Sequence, residues 1–384
     1  MSADKVVVSG YLVRCPLGGY AWQVLHYLVG LRQLGFEPYF YEDNGGFASC
    51  FDPRTGNWRE DPGVGLAFAG EFLGRNGFGR QWTFWDIAGA RTYGLTASER
   101  EALLEDARVV INLAGVNRLP VHRRQRRVFV DLDPVFTQIR ATTDRGWRET
   151  LAEHDVHFTF GENIGRPGCR APAAGFSWHP TRQPVAVELW QPVVAEDSPA
   201  FTTIGRWDDP HRDLHFEGET YSWRKRVEWM KFLDLPARTG QRFAVAMDVN
   251  KNPGDLATLA RHGWEVRDPI LISADPWTYR DFIRASKGEF TVAKDLNIRF
   301  ASGWFSDRSA CYLAAGRPVV TQDTGFDRVL PTDGGLFAFR DIDQAAASIQ
   351  SIASDYAAQS RRAREIARDC FDAAAVVGGL LEKL

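Results

Sequence analysis

No segment of the chain approaches the roughly 20 apolar residues needed to span a bilayer. The first residues pass from a polar start straight into the strand-like Lys5-Val6-Val7-Val8-Ser9. No basic region followed by an apolar one precedes it, so no signal peptide is expected. Cysteine is sparse. Cys15, Cys50, Cys169, Cys311 and Cys370 are scattered and odd in number, with no close pair. They offer neither a zinc knuckle nor a disulfide framework, and fit a reducing cytosol. Charge of one sign is also lacking: the formal net charge is −3, whereas general nucleic-acid binding needs a basic field. No G-x-G-x-x-G directly follows the first strand, which argues against a dinucleotide-dependent oxidoreductase. These absences leave a cytoplasmic enzyme without nucleic-acid partners as the expectation.

One local excess of charge exists, between Arg118 and Arg127, with His122, Arg123, Arg124 and Arg126 between them. It reads as a solvated loop before a strand, the alternative being contact with anionic lipid or a phosphorylated acceptor. Nothing else in the sequence supports peripheral membrane contact.

What is present is a globular composition, 44% hydrophobic and 25% charged, over 384 residues, too long for one ordinary core. The apolar pattern runs strand (Lys5 to Ser9), loop with Gly18 and Gly19, helix (Tyr20 to Leu34), strand (Glu37 to Tyr41). That order opens a doubly wound parallel sheet. Asn44 to Tyr93, rich in Gly, Trp and Phe, reads as irregular insertions near a cleft. Alternation resumes with a helix near Ser98 to Glu105 and strands at Val109 to Leu113, Val128 to Leu132 and His157 to Phe160. Prolines from Pro167 to Pro192 punctuate an interdomain connection.

A second series runs from the strand Phe201 to Gly205, through a helix Trp223 to Leu233, to the strand Pro318 to Thr321 and a helical C-terminus. The expected architecture is α/β: two Rossmann-like domains, 1–190 and 200–365, facing a cleft, with 366–384 as a helix crossing back. The 13 Trp and 25 Phe should mostly pack, and some should line the cleft, where flat rings stack on bases or sugars.

The most informative segment is Gly303 to Phe326. Ser306, Asp307 or Ser309 is placed to cap a helix that Gly316 closes before the strand at Pro318. A helix N-terminus carries free N–H groups and roughly half a positive charge, an anion site suited to a diphosphate. Arg308 adds a charge-assisted contact. The segment Ala314-Ala315-Gly316, Arg317-Pro318-Val319-Val320, Asp323-Thr324-Gly325-Phe326 and Gly334-Gly335-Leu336, with Arg361, Arg362 and Arg364 beyond it, resembles the C-terminal domain of GT-B glycosyltransferases. Gly18-Gly19 and Ile204-Gly205-Arg206 resemble that family's first glycine loop and the opening strand of its donor domain.

The resemblance implies a nucleotide-sugar donor as co-substrate, a small-molecule or glycan acceptor, and no cofactor or essential metal. One departure stands out: Cys311 occupies the place of a Glu that holds the donor ribose in many retaining members, and reads as helix packing here.

Catalysis of this kind needs a stabilised leaving diphosphate, a held sugar and a positioned acceptor. The donor-binding candidates are Gly18, Gly19, Arg206, Lys225, Ser306, Asp307, Arg308, Ser309, Asp323, Gly325 and Phe326. Removal of Arg308 is expected to weaken donor binding and leave the fold intact. Asp323 is expected to meet the transferred sugar, and Gly325 and Phe326 to close over it. Asp131 and Asp133, after the strand Val128-Phe129-Val130, are the candidate general bases; one of them capping the turn before Pro134 is the competing reading. The same Asp-x-Asp also fits a Mg-dependent phosphohydrolase, and a non-catalytic nucleotide-sugar-binding subunit is the other alternative.

Overall fold

The computed structural model describes residues 3–45, 47–120, 125–193 and 199–384. His122, Arg123 and Arg124 of the basic cluster lie outside the described residues.

Two parallel sheets organise the molecule. The first holds eight strands in the order Trp178–Pro180, Val156–Thr159, Arg126–Asp131, Val109–Leu113, Lys5–Ser9, Glu37–Asp43, Trp82–Asp86 and Arg91–Gly94, with the last antiparallel to its neighbour. The second holds six parallel strands: Trp264–Arg267, Phe243–Met247, Phe201–Gly205, Gly288–Thr291, Val319–Gln322 and Leu336–Phe339. Their apolar runs are buried because helices cover both faces, as parallel sheets require. Both sheets are Rossmann-like, in line with the alternation read from the sequence.

The segment Asn44 to Tyr93 is more regular than its composition predicts. It contains an antiparallel hairpin (Cys50–Asp52 with Asn57–Arg59), the helix Gly63–Arg75 and the two outer strands of the first sheet. Glycines at 63, 65, 70 and 74 hide that helix from propensity rules. Gly65 is there for packing: a Cβ would sit 1.8 Å from the Val13 carbonyl oxygen. The helices Phe136–Thr143 and Arg145–Ala152 also escape the periodicity reading, and so does the hairpin Leu214–Phe216 with Glu219–Tyr221. The expected helix at Trp223 is short, Lys225–Trp229 followed by a tighter turn, Met230–Phe232.

The lobes are joined by apolar packing. Trp22 and Trp190 are fully buried, with ring centroids 5.1 Å apart. Trp22 Nε1 donates to the Pro276 carbonyl at 2.7 Å, and Trp190 Nε1 donates to His26 Nε2 at 2.9 Å. Each such side chain contributes roughly 1.5–3 kcal/mol by leaving water. The last helix, Ala373–Leu381, returns to the first, Gly18–Gln33, where Gly30 admits it: a Cβ would lie 2.6 Å from the Ala373 carbonyl oxygen. Among the described residues no helix is long and apolar enough to cross a membrane.

Candidate active site

The strand ends of the first lobe, at Gly10, Ala114, Leu132 and Phe160, open on a cleft of about 910 Å3, which the second lobe lines with Arg212, Trp304 and Asp307. Ligands of open parallel sheets bind at this carboxyl edge. Here the second lobe concentrates cations. Arg206 follows the strand Phe201–Gly205, Lys294 follows the neighbouring strand Gly288–Thr291, Lys225 opens the short helix Lys225–Trp229, and Arg308 lies in the first turn of Asp307–Ala314.

Lys225 is the least compensated of them. It is 7% exposed, and its Nζ donates to Thr291 Oγ1 at 3.3 Å. No carboxylate pairs with it among the described residues. Burial pushes its ammonium well below the ordinary lysine range, and repulsion from Arg308 and Lys294 adds to this despite Glu289. A buried cation held among cations is a site prepared for an anion. Arg206 is largely exposed and pairs with Asp209 at 2.7 Å.

Arg308 is committed elsewhere. Its Nε donates to Glu289 Oε1 at 2.5 Å, Nη1 to the Ile204 carbonyl at 2.6 Å and Nη2 to Thr291 Oγ1 at 3.2 Å. Glu289 is fully buried, so removing Arg308 would strand a buried charge, at a cost of about 3–5 kcal/mol. The expectation that Arg308 can be deleted with the fold intact is therefore corrected: the residue ties together two neighbouring strands, Phe201–Gly205 and Gly288–Thr291.

The opening turn of that helix is also more occupied than the sequence suggests. Ser306 is its N-cap without a capping bond, and its Oγ donates to Asp307 Oδ1 at 3.4 Å. Asp307 Oδ1 accepts the Arg308 backbone N–H at 2.9 Å, and Gln23 of the first lobe reaches Asp307 Oδ2 at 3.4 Å. Burial raises the Asp307 carboxyl above its ordinary value, against the pull of Arg308. Ser309 has no exposure and its Oγ has no partner among the described residues. Cys311 is buried in the same apolar cluster, and burial pushes its thiol well up.

Several other candidates serve the junction between lobes. Gly18 lets the first helix approach Tyr279, whose Cβ would be 2.6 Å from an added Cβ; at Gly19 an added Cβ would lie 3.7 Å from the hydroxyl of the same ring. Gly325 has φ +85° and meets Asn163, whose Nδ2 donates to the Gly325 carbonyl at 2.9 Å and to the Ala301 carbonyl at 3.1 Å. It ties a turn of the second lobe to the first and does not close over a sugar. Phe326 is 1% exposed and packs on Phe305 at 5.4 Å, so it belongs to the core and does not cover a sugar either. Asp323 accepts from Arg340 at 2.7 Å and from the Gly325 N–H at 2.8 Å. Its carboxylate fixes the turn.

The two candidate bases separate cleanly. Asp131 is fully buried and accepts from Thr159 Oγ1 at 2.7 Å, Gln138 Nε2 at 2.8 Å and the Asp133 N–H at 3.1 Å. It caps the turn and cannot reach an acceptor. Asp133 lines the cleft, but lies 3.1 Å from Lys294 Nζ and 3.5 Å from Arg212 Nη2. Burial alone would raise its carboxyl; the two cations outweigh that and hold it below the usual range, which makes it a weak base. Lys294 and Arg212 flank the Trp223 ring at 3.1 and 3.8 Å from its centroid. With Asp131 sealed and Asp133 paired to cations, the phosphohydrolase arrangement, with both carboxylates on one metal, is absent.

Lys294 and Arg212, the two cations paired with Asp133, are residues that the sequence reading misses. Lys294 carries a signal, its place just after a buried strand of the second series. Arg212 precedes an inserted hairpin with no periodicity and carries none. Replacing Asp133 by Asn removes the carboxylate facing both cations and is expected to tighten pyrophosphate binding roughly two- to fivefold. Calorimetric titration checks this; equal or weaker affinity would show that Asp133 does not compete with an anion.

No protein-family model matches the sequence, and no curated protein sequence matches it. Solved structures do resemble it. An alpha-glucosyltransferase in complex with UDP and a 13-mer DNA superposes with a TM-score of 0.61 at 14% identity, covering 99% of each chain. HepE of Anabaena, in complex with UDP and glucose, gives 0.57 at 10% identity over 99% of this chain and 100% of that one. The sucrose-phosphate synthase of Thermosynechococcus elongatus gives 0.54 at 12% identity over 99% and 98%. Over its whole length the chain therefore has the two-lobed GT-B fold of these glycosyltransferases.

Proposed function

We propose that the chain is a glycosyltransferase that moves a sugar from a nucleotide diphosphate sugar to an acceptor hydroxyl or other nucleophile. The observation that carries this reading is Lys225, buried without a carboxylate beside Arg308 and Lys294 at the strand ends of the second lobe. As the bond from the sugar to the diphosphate breaks, negative charge grows on the leaving oxygen. Fixed cations in a site of low dielectric stabilise that charge without reorganising. This is the work a divalent ion would otherwise do, and it supports metal-independent transfer with the donor as co-substrate and no further cofactor.

The UDP and UDP-glucose bound by related folds support a nucleotide-sugar partner. The DNA in one of those complexes belongs to that protein; here a net charge of −3 supports a small-molecule or glycan acceptor instead. Five free cysteines support a cytoplasmic site of action.

A thermal-shift series with UDP-glucose and other nucleotide sugars tests the reading. A donor at a hundred times its dissociation constant adds about 2.7 kcal/mol of stability. Stabilisation by NAD or simple phosphomonoesters alone would sink the proposal. Transfer of a labelled sugar separates an enzyme from a non-catalytic binding subunit.

A further inference from the structure

Among the described residues three aromatic side chains are exposed: Tyr20 at 39%, Phe47 at 52% and Trp58 at 50%. All three gather at the cleft. Tyr20 and Phe47 line it, and Trp58 meets Phe47 edge to face with centroids 5.4 Å apart. Exposed rings confined to one place mark a contact surface, because elsewhere the chain buries its aromatic residues wholly or in part.

The Phe47–Trp58 pair is held in place before any ligand arrives. Trp58 lies opposite Phe51 in the antiparallel hairpin, with their rings 5.5 Å apart. The Phe51 N–H donates to the Arg14 carbonyl at 2.8 Å. Arg14, itself buried, donates from Nη1 to the Phe47 carbonyl at 3.3 Å and from Nη2 to the Val116 carbonyl at 2.7 Å. Its Nε donates to the buried Glu42 at 3.2 Å. Little ordering remains to be done on binding, which favours affinity.

The rest of the cleft wall is mixed, with Asn117, Arg118, Thr137 and Arg140 interleaved with apolar residues such as Leu132, Phe136 and Trp304. A lipid chain or flat aromatic would strip water from the polar groups without replacing their hydrogen bonds. A pyranose suits both kinds of surface: its C–H face lies on a ring, and its hydroxyls meet the polar groups. We propose that the acceptor is a saccharide whose pyranose ring docks on Phe47 and Trp58. This rests on the glycosyl-transfer reading and names the acceptor class of that same cleft.

The test uses the full chain on a printed glycan array, with UDP binding measured separately by calorimetry. Wild type should be retained on a defined subset of glycans. Phe47→Ala and Trp58→Ala should each weaken that retention about tenfold, with Trp58→Phe keeping most of it. Both side chains are half exposed, so melting temperatures should match wild type. UDP affinity should stay the same in every variant. Wild type that retains no glycan, or alanine variants that bind as wild type does, would overturn the proposal. Failure of the glycosyl-transfer reading would appear separately, as stabilisation by none of the nucleotide sugars in the thermal-shift series.

Discussion

Lys225→Met is expected to weaken binding of a nucleotide diphosphate sugar by roughly 10- to 150-fold while leaving the protein at least as stable as before. The loss corresponds to one charge-assisted hydrogen bond to an anion, about 1.5–3 kcal/mol. The stability follows from the same burial: the ammonium has lost its water, faces Arg308 and Lys294, and has one hydroxyl partner. Methionine fills similar volume without a charge to desolvate. The sign of the pH effect also follows. Because the folded pKa is lowered, the cost of keeping Lys225 charged is present at low pH and fades as pH rises from that lowered value toward the ordinary one. Anion binding restores the charge, so affinity should fall as pH rises through the same range, with proton uptake on binding. Calorimetry in two buffers of different ionisation enthalpy, together with urea melts, checks both halves. A variant that binds donor normally would remove Lys225 from the site.

Asp131→Asn is expected to change the pH dependence of stability. Burial raises the Asp131 carboxyl to about 6, against the hydrogen bonds from Thr137, Gln138 and Thr159. A raised carboxyl pKa contributes stability that is full below the unfolded value, near 4, and is lost as pH rises from there through about 6. The shift corresponds to about 3 kcal/mol. The stability of wild type relative to Asp131→Asn should therefore decline by that order between pH 4 and pH 8. Denaturant melts across this range measure the difference. A constant difference would mean that Asp131 does not titrate there.

Asp131 and Asp133 show why a motif does not assign its own roles. They are two residues apart at one strand end, yet one is sealed by Gln138 and Thr159 while the other faces Lys294, 161 positions away. Gly18 is a comparable case. It resembles the family's first glycine loop because it follows a strand, but Tyr279 of the other lobe is what requires the missing side chain. Phe326 reads as a lid because it follows a strand of the second lobe, and packs inward on Phe305.

The sequence by itself determined the alternation of apolar strands and amphipathic helices, and with it two Rossmann-like lobes, with Arg206 just beyond a strand and Lys225 in a helix. These are local properties, set by side-chain period and by the few residues that follow a strand. Only the tertiary structure decided which of those groups are free: Arg308 spent on Glu289, Asp133 held by Lys294 and Arg212, and three exposed rings gathered at one cleft. Burial and ion pairing depend on neighbours brought from distant parts of the chain, and no local pattern encodes them.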